Sequence, residues 1–217
     1  MEPFLKPYNY YFLKEQAAIL AQTHRTVNAK STIQAVQAQI FDKVKATLSE
    51  LSEEEMTLVM GITEINDEQR ILDRYLQRMK ERVIPFKRPS DTGIKKAFPK
   101  TKKLTIPDWE RLDLADYSFY AWNDPGQQSK FILYTVNNKL QGIQGQLSTE
   151  IKKGICTICH GESSVALFTV KGKANKDGHY KTKGNYICYN SDECNQKMQT
   201  FEHFMDFVTI VKEKWFC

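Results

Sequence analysis

The chain has 217 residues, 41% of them hydrophobic and 26% charged, with a formal net charge of +5. That length suits one large domain or two small ones, and the composition is that of an ordinary globular protein. No apolar run approaches the roughly 18 residues that a membrane-spanning helix needs, and the start, MEPFLKPYNYYFLKEQ, lacks the basic flank and unbroken apolar stretch of a secretory signal, so a cytosolic protein is expected.

The first 85 residues read as helix throughout. A first helix is expected over about 8–28, with Leu13, Ala17, Leu20, His24 and Val27 at helical spacing. Ser31 and Gln34 form the pattern of a capping box, followed by the stripe Ile33, Val36, Ile40, Val44, Leu48 and Leu51. Ser52 and Glu55 offer a second capping box, opening a short helix that contains Met56, Leu58 and Val59. Asn66 is expected to cap a fourth helix, whose stripe is Leu72, Leu76, Met79 and Val83. Four apolar stripes with short connections bury most simply as a four-helix bundle. Pro85 and Pro89 end the last helix. Residues 1–85 are therefore expected to form a helical N-terminal domain and residues 86–217 a second domain.

Across residues 87–103, seven of seventeen side chains are Lys or Arg and Asp91 is the lone acid. Such a run is either a solvated linker or a patch that meets an acidic partner, RNA or protein. Beyond it the apolar period shifts from helical to alternating. Residues 131–136 (FILYTV) and 139–147 read as a hairpin about Asn137-Asn138, because asparagine tolerates positive φ. Residues 164–170 and 179–188 form a second hairpin about Asp177-Gly178. A closing helix over about 199–215 carries Phe201, Phe204, Val208, Val211 and Trp215 on one face. The fold class is thus a helical bundle followed by an α+β domain.

The five cysteines carry the chemistry. They run Cys156-x2-Cys159, then 28 residues, then Cys188-x5-Cys194, with Cys217 at the end as a free thiol. In a reducing compartment clustered cysteines bind metal or do redox work. A thioredoxin-like pair would open a helix, whereas Gly161-Glu162-Ser163-Ser164 leads into a strand. Cys159-His160 completes a c-type haem motif, but that chemistry leaves Cys188 and Cys194 unexplained. Four thiolates instead make the closed tetrahedral set of structural Zn²⁺. A hairpin between the pairs, with a helix at the second, is treble-clef-like. His160 could replace one sulfur but reads as a neighbour of the site. Around the pairs lie Ile155, Lys183, Tyr186 and Phe207, and spacing alone leaves open whether Tyr186 and Phe207 pack inside or face outward.

The stretches GICTICHGESSVALF, NYICYNSDECN and IPDWERLDLADYSFYAWND resemble the FusB-type fusidic acid resistance proteins, also called elongation factor G-binding proteins. The resemblance runs nearly end to end, through VIPF at the junction, KKLTIP, Trp122-Asn123 and the KDGHY…KGNYIC hairpin. It implies a two-domain, monomeric, non-catalytic cytosolic protein with one zinc on Cys156, Cys159, Cys188 and Cys194. It further implies a one-to-one complex with elongation factor G, made mainly through the zinc-containing domain. That complex drives the factor off the ribosome and so relieves the stall that fusidic acid imposes. Membrane and DNA are not expected partners. The family's partner contacts fall on Ile155, Lys183, Tyr186 and Phe207, with Ile155 departing from an aromatic residue. Two competing classes are weaker. An RNA-binding zinc protein would want aromatic platforms in a basic groove, not the scattered Lys171, Lys173, Lys176, Lys181 and Lys183. An enzyme would want an activated nucleophile, a phosphate loop or an open metal site.

Overall fold

The computed structural model describes residues 2–99, 101, 103–174 and 180–212. The chain divides into two units, Met1–Ile84 and Pro85–Cys217. In the first, the described residues form α1 (Pro7–Thr26), α2 (Lys30–Thr47), α3 (Glu53–Val59) and α4 (Gln69–Lys80). Pro7 opens α1 because the first helical residue needs no N–H donor. Leu13, Ala17 and Leu20 are buried together with Tyr10, Tyr11, Phe12 and Ala21.

Three details of the helix ends differ from or sharpen the sequence reading. Ser31 does not cap α2, because the helix already begins at Lys30 with extended Ala29 before it; Ser31 therefore lies inside the first turn. Ser52 does cap α3. Its Oγ accepts the Glu55 N–H at 3.4 Å while the Glu55 carboxylate accepts the Ser52 N–H at 2.8 Å. Asn66 stands two residues too early to cap α4: its Oδ1 accepts the Glu68 N–H at 2.9 Å, forming a turn that leads into the helix. Along α4, Leu72 and Met79 are buried, and so is Tyr75 between them. The Tyr75 hydroxyl donates to the Val59 carbonyl at 3.0 Å and ties α4 to the end of α3. The unit closes on itself where Leu5 pairs with Val83 in a parallel bridge.

The second unit adds α5 (Asp91–Ala97), then β1 (Tyr120–Asp124), β2 (Ser129–Val136), β3 (Lys139–Ile155), β4 (Glu162–Ala174) and β5 (Tyr180–Cys188), then α6 (Ser191–Lys197) and α7 (Glu202–Lys212). The five strands form one antiparallel sheet in chain order, so β1 and β5 are its edges. The basic stretch 87–103 contains α5 and is not a linker. Ser90 caps this helix through the Gly93 N–H, and Ile94 and Phe98 enter a cluster with Phe86, Trp109, Tyr117, Tyr120, Phe131 and Leu133. Lys95 and Lys96 stay exposed on its outer side. Two apolar residues four apart drive this burial, and the lysines around them mask the signal.

Strand β1 is a further element beyond the two expected hairpins. Its Trp122 sits opposite Phe131 in register, and their rings stack at 5.2 Å. The β2–β3 hairpin turns through Asn137 and Asn138, at φ 50° and 58°, with Val136 paired to Lys139. Strand β3 runs on past a bulge between Leu147 and Ile151 and ends at Ile155, beside the first cysteine. The Asp177-Gly178 turn, Trp215 and Cys217 lie outside the described residues. On α7, Phe204, Phe207, Val208 and Val211 are buried.

Two substitutions test this packing. Ser52→Ala should destabilise the first unit by about 1 kcal/mol, read by urea unfolding followed through helical circular dichroism. Gly142 packs without a side chain against the end of α5, where a Cβ would lie 2.7 Å from both the Ala97 carbonyl oxygen and the Phe98 ring. Gly142→Ala should therefore cost about 1–3 kcal/mol. All three tryptophans follow residue 84, so tryptophan fluorescence reads that loss in the second unit selectively.

Candidate functional site

The site is built at one end of the sheet by three consecutive devices. Strand β3 delivers Cys156 into a tight turn. There the Cys156 N–H donates to the Gly161 carbonyl at 3.1 Å, the His160 N–H donates to the Cys156 carbonyl at 2.9 Å, and His160 takes φ 56°. The Thr157 N–H and hydroxyl both donate to the Tyr186 carbonyl, at 3.0 and 3.1 Å, clamping this turn to the end of β5, which carries Cys188. The chain then turns at Asn190, whose Oδ1 accepts the Asp192 and Glu193 N–H groups and so starts α6, bearing Cys194. The wide x5 spacing is thus the length needed to leave a strand, turn, and enter a helix.

These devices bring the sulfurs of Cys156, Cys159, Cys188 and Cys194 within 4.8 Å of one another, all buried. The Cys156–Cys194 and Cys159–Cys188 separations are both 3.7 Å. A tetrahedron with zinc–sulfur bonds of about 2.3 Å has edges of about 3.8 Å, whereas a disulfide bond is about 2.05 Å long. The donor set therefore fits a four-coordinate Zn²⁺ with no position left for water. The backbone N–H groups of Ile158 and Cys188 both point at the Cys156 sulfur at 3.3 Å, which favours its thiolate form. Hydrogen bonds from the three neighbouring thiols push Cys156 well below the ordinary thiol range, while the same crowding pushes Cys159 and Cys194 up. Four buried sulfurs this close cannot all ionise without a divalent cation among them. His160 does not join the set; its ring stacks on His203 at 3.6 Å.

Two side chains that sequence reasoning passed over join the site to the sheet. Asn195, fully buried, accepts the Ser118 and Phe119 N–H groups at 2.8 and 3.3 Å and donates to the Phe119 and Ser191 carbonyls. Lys130, the second residue of β2 and directly before its apolar run, donates from Nζ to Asn123 Oδ1 and to the Tyr189 carbonyl, each at 2.9 Å. Burial lowers its pKa to about 8, against the charge of the cysteines, which raises it. The available signal was the lysine itself, a charged residue in a strand otherwise written FILYTV.

The expected partner-facing residues do not share one surface. Ile155 is 62% exposed at the end of β3, and Tyr186 is 37% exposed on β5 with Leu167 opposite it on β4. The Lys152 ammonium lies 3.9 Å from the centre of the Tyr186 ring. Lys183, three residues before Tyr186 on the same strand, projects from the other face of β5 and is half-buried. Phe207 has no exposed surface: its ring packs 5.7 Å from Phe168. Of the scattered lysines, Lys171 is exposed, and the side chains of Lys173, Lys176 and Lys181 lie outside the described residues.

Comparison with known proteins bears on this geometry. A family model described as "Elongation factor G-binding protein, N-terminal" matches residues 4–87. Another, described as "FBP C-terminal treble-clef zinc-finger", matches residues 94–208, so the four cysteines form a treble-clef zinc site. No curated protein matches the chain. A solved structure, "Structure of the fusidic acid resistance protein FusC", is 29% identical with a TM-score of 0.84, covering 96% of this chain and 97% of that one.

Metal analysis should find one zinc per chain. Zinc binding contributes about 10–16 kcal/mol in isolated fingers, against about 5–15 kcal/mol for the stability of a whole domain. Stripping the metal with a chelator should therefore shift tryptophan emission to the red, while the helical signal of the first unit persists. A Cys188→Ser protein that still holds stoichiometric zinc would contradict the four-sulfur site.

Proposed function

We propose, because the chain belongs to the elongation factor G-binding protein family, that it binds elongation factor G through its zinc-finger unit, residues 85–217, in the cytoplasm. In doing so it promotes release of the factor from the ribosome and relieves stalling by fusidic acid. The observation that carries this reading is the contrast at the end of the sheet. The metal centre is closed by four buried sulfurs, so it offers no reaction site, yet the backbone it fastens presents large apolar side chains outward. Ile155, Leu167 and Tyr186 are exposed around that end. Zinc, held by Cys156, Cys159, Cys188 and Cys194, supplies rigidity and no chemistry on a substrate.

In this reading Tyr186 and Ile155 are the apolar anchors, and Lys152 holds the tyrosine ring while adding positive charge beside it. Lys183, on the other face of the sheet from Tyr186 and on the same side as Ile155 by strand alternation, orients an acidic partner. Phe207 contributes from beneath, by packing on Phe168 and holding β4 in place.

Release then needs no covalent step. A protein that displaces a factor must prefer a state of that factor incompatible with the stalled complex. It can shift the equilibrium only by its difference in affinity for the two states. Activity should follow occupancy of a one-to-one complex, and fusidic acid should be recovered unchanged.

Gel filtration and calorimetry with purified elongation factor G test the surface. Tyr186→Ala should weaken the complex by about 2 kcal/mol, with Ile155→Ala and Lys183→Ala costing less. Zinc content and circular dichroism should stay at parental values, which separates lost contact from lost folding. Parental affinity in all three variants would overturn the assigned surface, and chemical alteration of the drug would overturn the non-catalytic reading.

A further inference from the structure

A tetrathiolate that holds Zn²⁺ carries a net double negative charge, and that charge lies inside the protein. Lys130 is the one charged side chain that is buried among the described residues, at 2% exposure. Lysine is almost never found in such a position unless its charge is compensated. Its two hydrogen-bond partners, Asn123 Oδ1 and the Tyr189 carbonyl, are both neutral. The groups that chiefly favour its charged form are the sulfurs of Cys194, Cys188 and Cys156, ahead of Asp192. The Tyr189 carbonyl it binds immediately follows Cys188 in the chain. Residues 129–134 of β2 are all buried, so the ammonium has no route to solvent along its own strand.

We propose that Lys130 is the counter-charge of the zinc–tetrathiolate and sets how firmly the metal is retained. Its ammonium offsets part of the excess negative charge on the four sulfurs. Its bond to Tyr189 also fixes the chain beside Cys188, so charge and geometry act on the same ligand. The fully buried cation is then a cost of folding that the loaded metal site repays. This reading concerns the metal alone and is independent of any partner.

The test is the rate at which the zinc-loaded, full-length protein gives up zinc to an excess of a chromophoric chelator. Lys130→Met keeps the length of the side chain and removes the charge; it should release zinc about tenfold faster, the size of effect that loss of outer-shell partners has on metal affinity. Lys130→Arg keeps the charge and should stay near the parental rate. Lys130→Gln keeps a neutral N–H donor toward Asn123 and the Tyr189 carbonyl but removes the charge, so it too should release zinc faster. A side chain that merely filled space, or merely bonded the Tyr189 carbonyl, would not respond to this loss of charge. Parental release from Lys130→Met, or release from Lys130→Arg as fast as from Lys130→Met, overturns the proposal. Should Lys130→Met fail to fold with zinc present, Lys130→Gln decides, and parental release there overturns it equally.

Discussion

Four sulfurs held within 4.8 Å of each other, out of water, is an arrangement that only a divalent cation makes tenable. Much of the second unit is organised around meeting that condition. The turn after β3, the end of β5 and the first turn of α6 each contribute sulfur. Around them a polar seam fastens the site to the sheet. Tyr117 donates to Asp192 at 3.0 Å, Asn195 binds the backbone at Ser118 and Phe119, and Asn123 with Lys130 holds the Tyr189 carbonyl. Tyr117 belongs both to this seam and to the aromatic cluster, where its ring meets Tyr120. Metal, seam and aromatic cluster are therefore coupled in series, so loss of the first should be felt at the tryptophans of the last.

Much of this was legible in the sequence, for identifiable reasons. The helical stripes of the first unit, the Ser52 capping box and the Asn137-Asn138 turn are local signals, set by residues a few positions apart. The cysteine set was legible because few chemistries use two thiol pairs with a hairpin between them. What stayed hidden depends on distant partners. α5 looked like a charged linker because Ile94 and, just past its end, Phe98 are the residues buried in the core, against strands that follow much later in the chain. β1 was missed because its short mix of aromatic and polar residues acquires a strand's alternation only once Trp122 finds Phe131. Lys130 and Asn195 tie the site to the sheet through residues 59 and 76 positions away.

The same distinction applies to the partner-facing residues. The family resemblance supplied four positions, but not their setting. Strand alternation separates Tyr186 from Lys183 across the sheet, and the helix stripe draws Phe207 wholly inside. A surface carried over from a family motif thus resolves into Tyr186 on one face of the sheet, Ile155 and Lys183 on the other by strand alternation, and a buried support, and these respond differently to substitution. Lys152, outside that motif, gains a place through its position over the Tyr186 ring.

The central claim is that a closed zinc site creates the binding surface without taking part in chemistry. Reconstitution tests it most directly. Protein stripped of metal is titrated with zinc while tryptophan emission and complex formation with elongation factor G are followed in the same samples. The account predicts that both signals return together and reach their end point at one zinc per chain. Full binding by the metal-free protein, or recovery of the fold without recovery of binding, would contradict it.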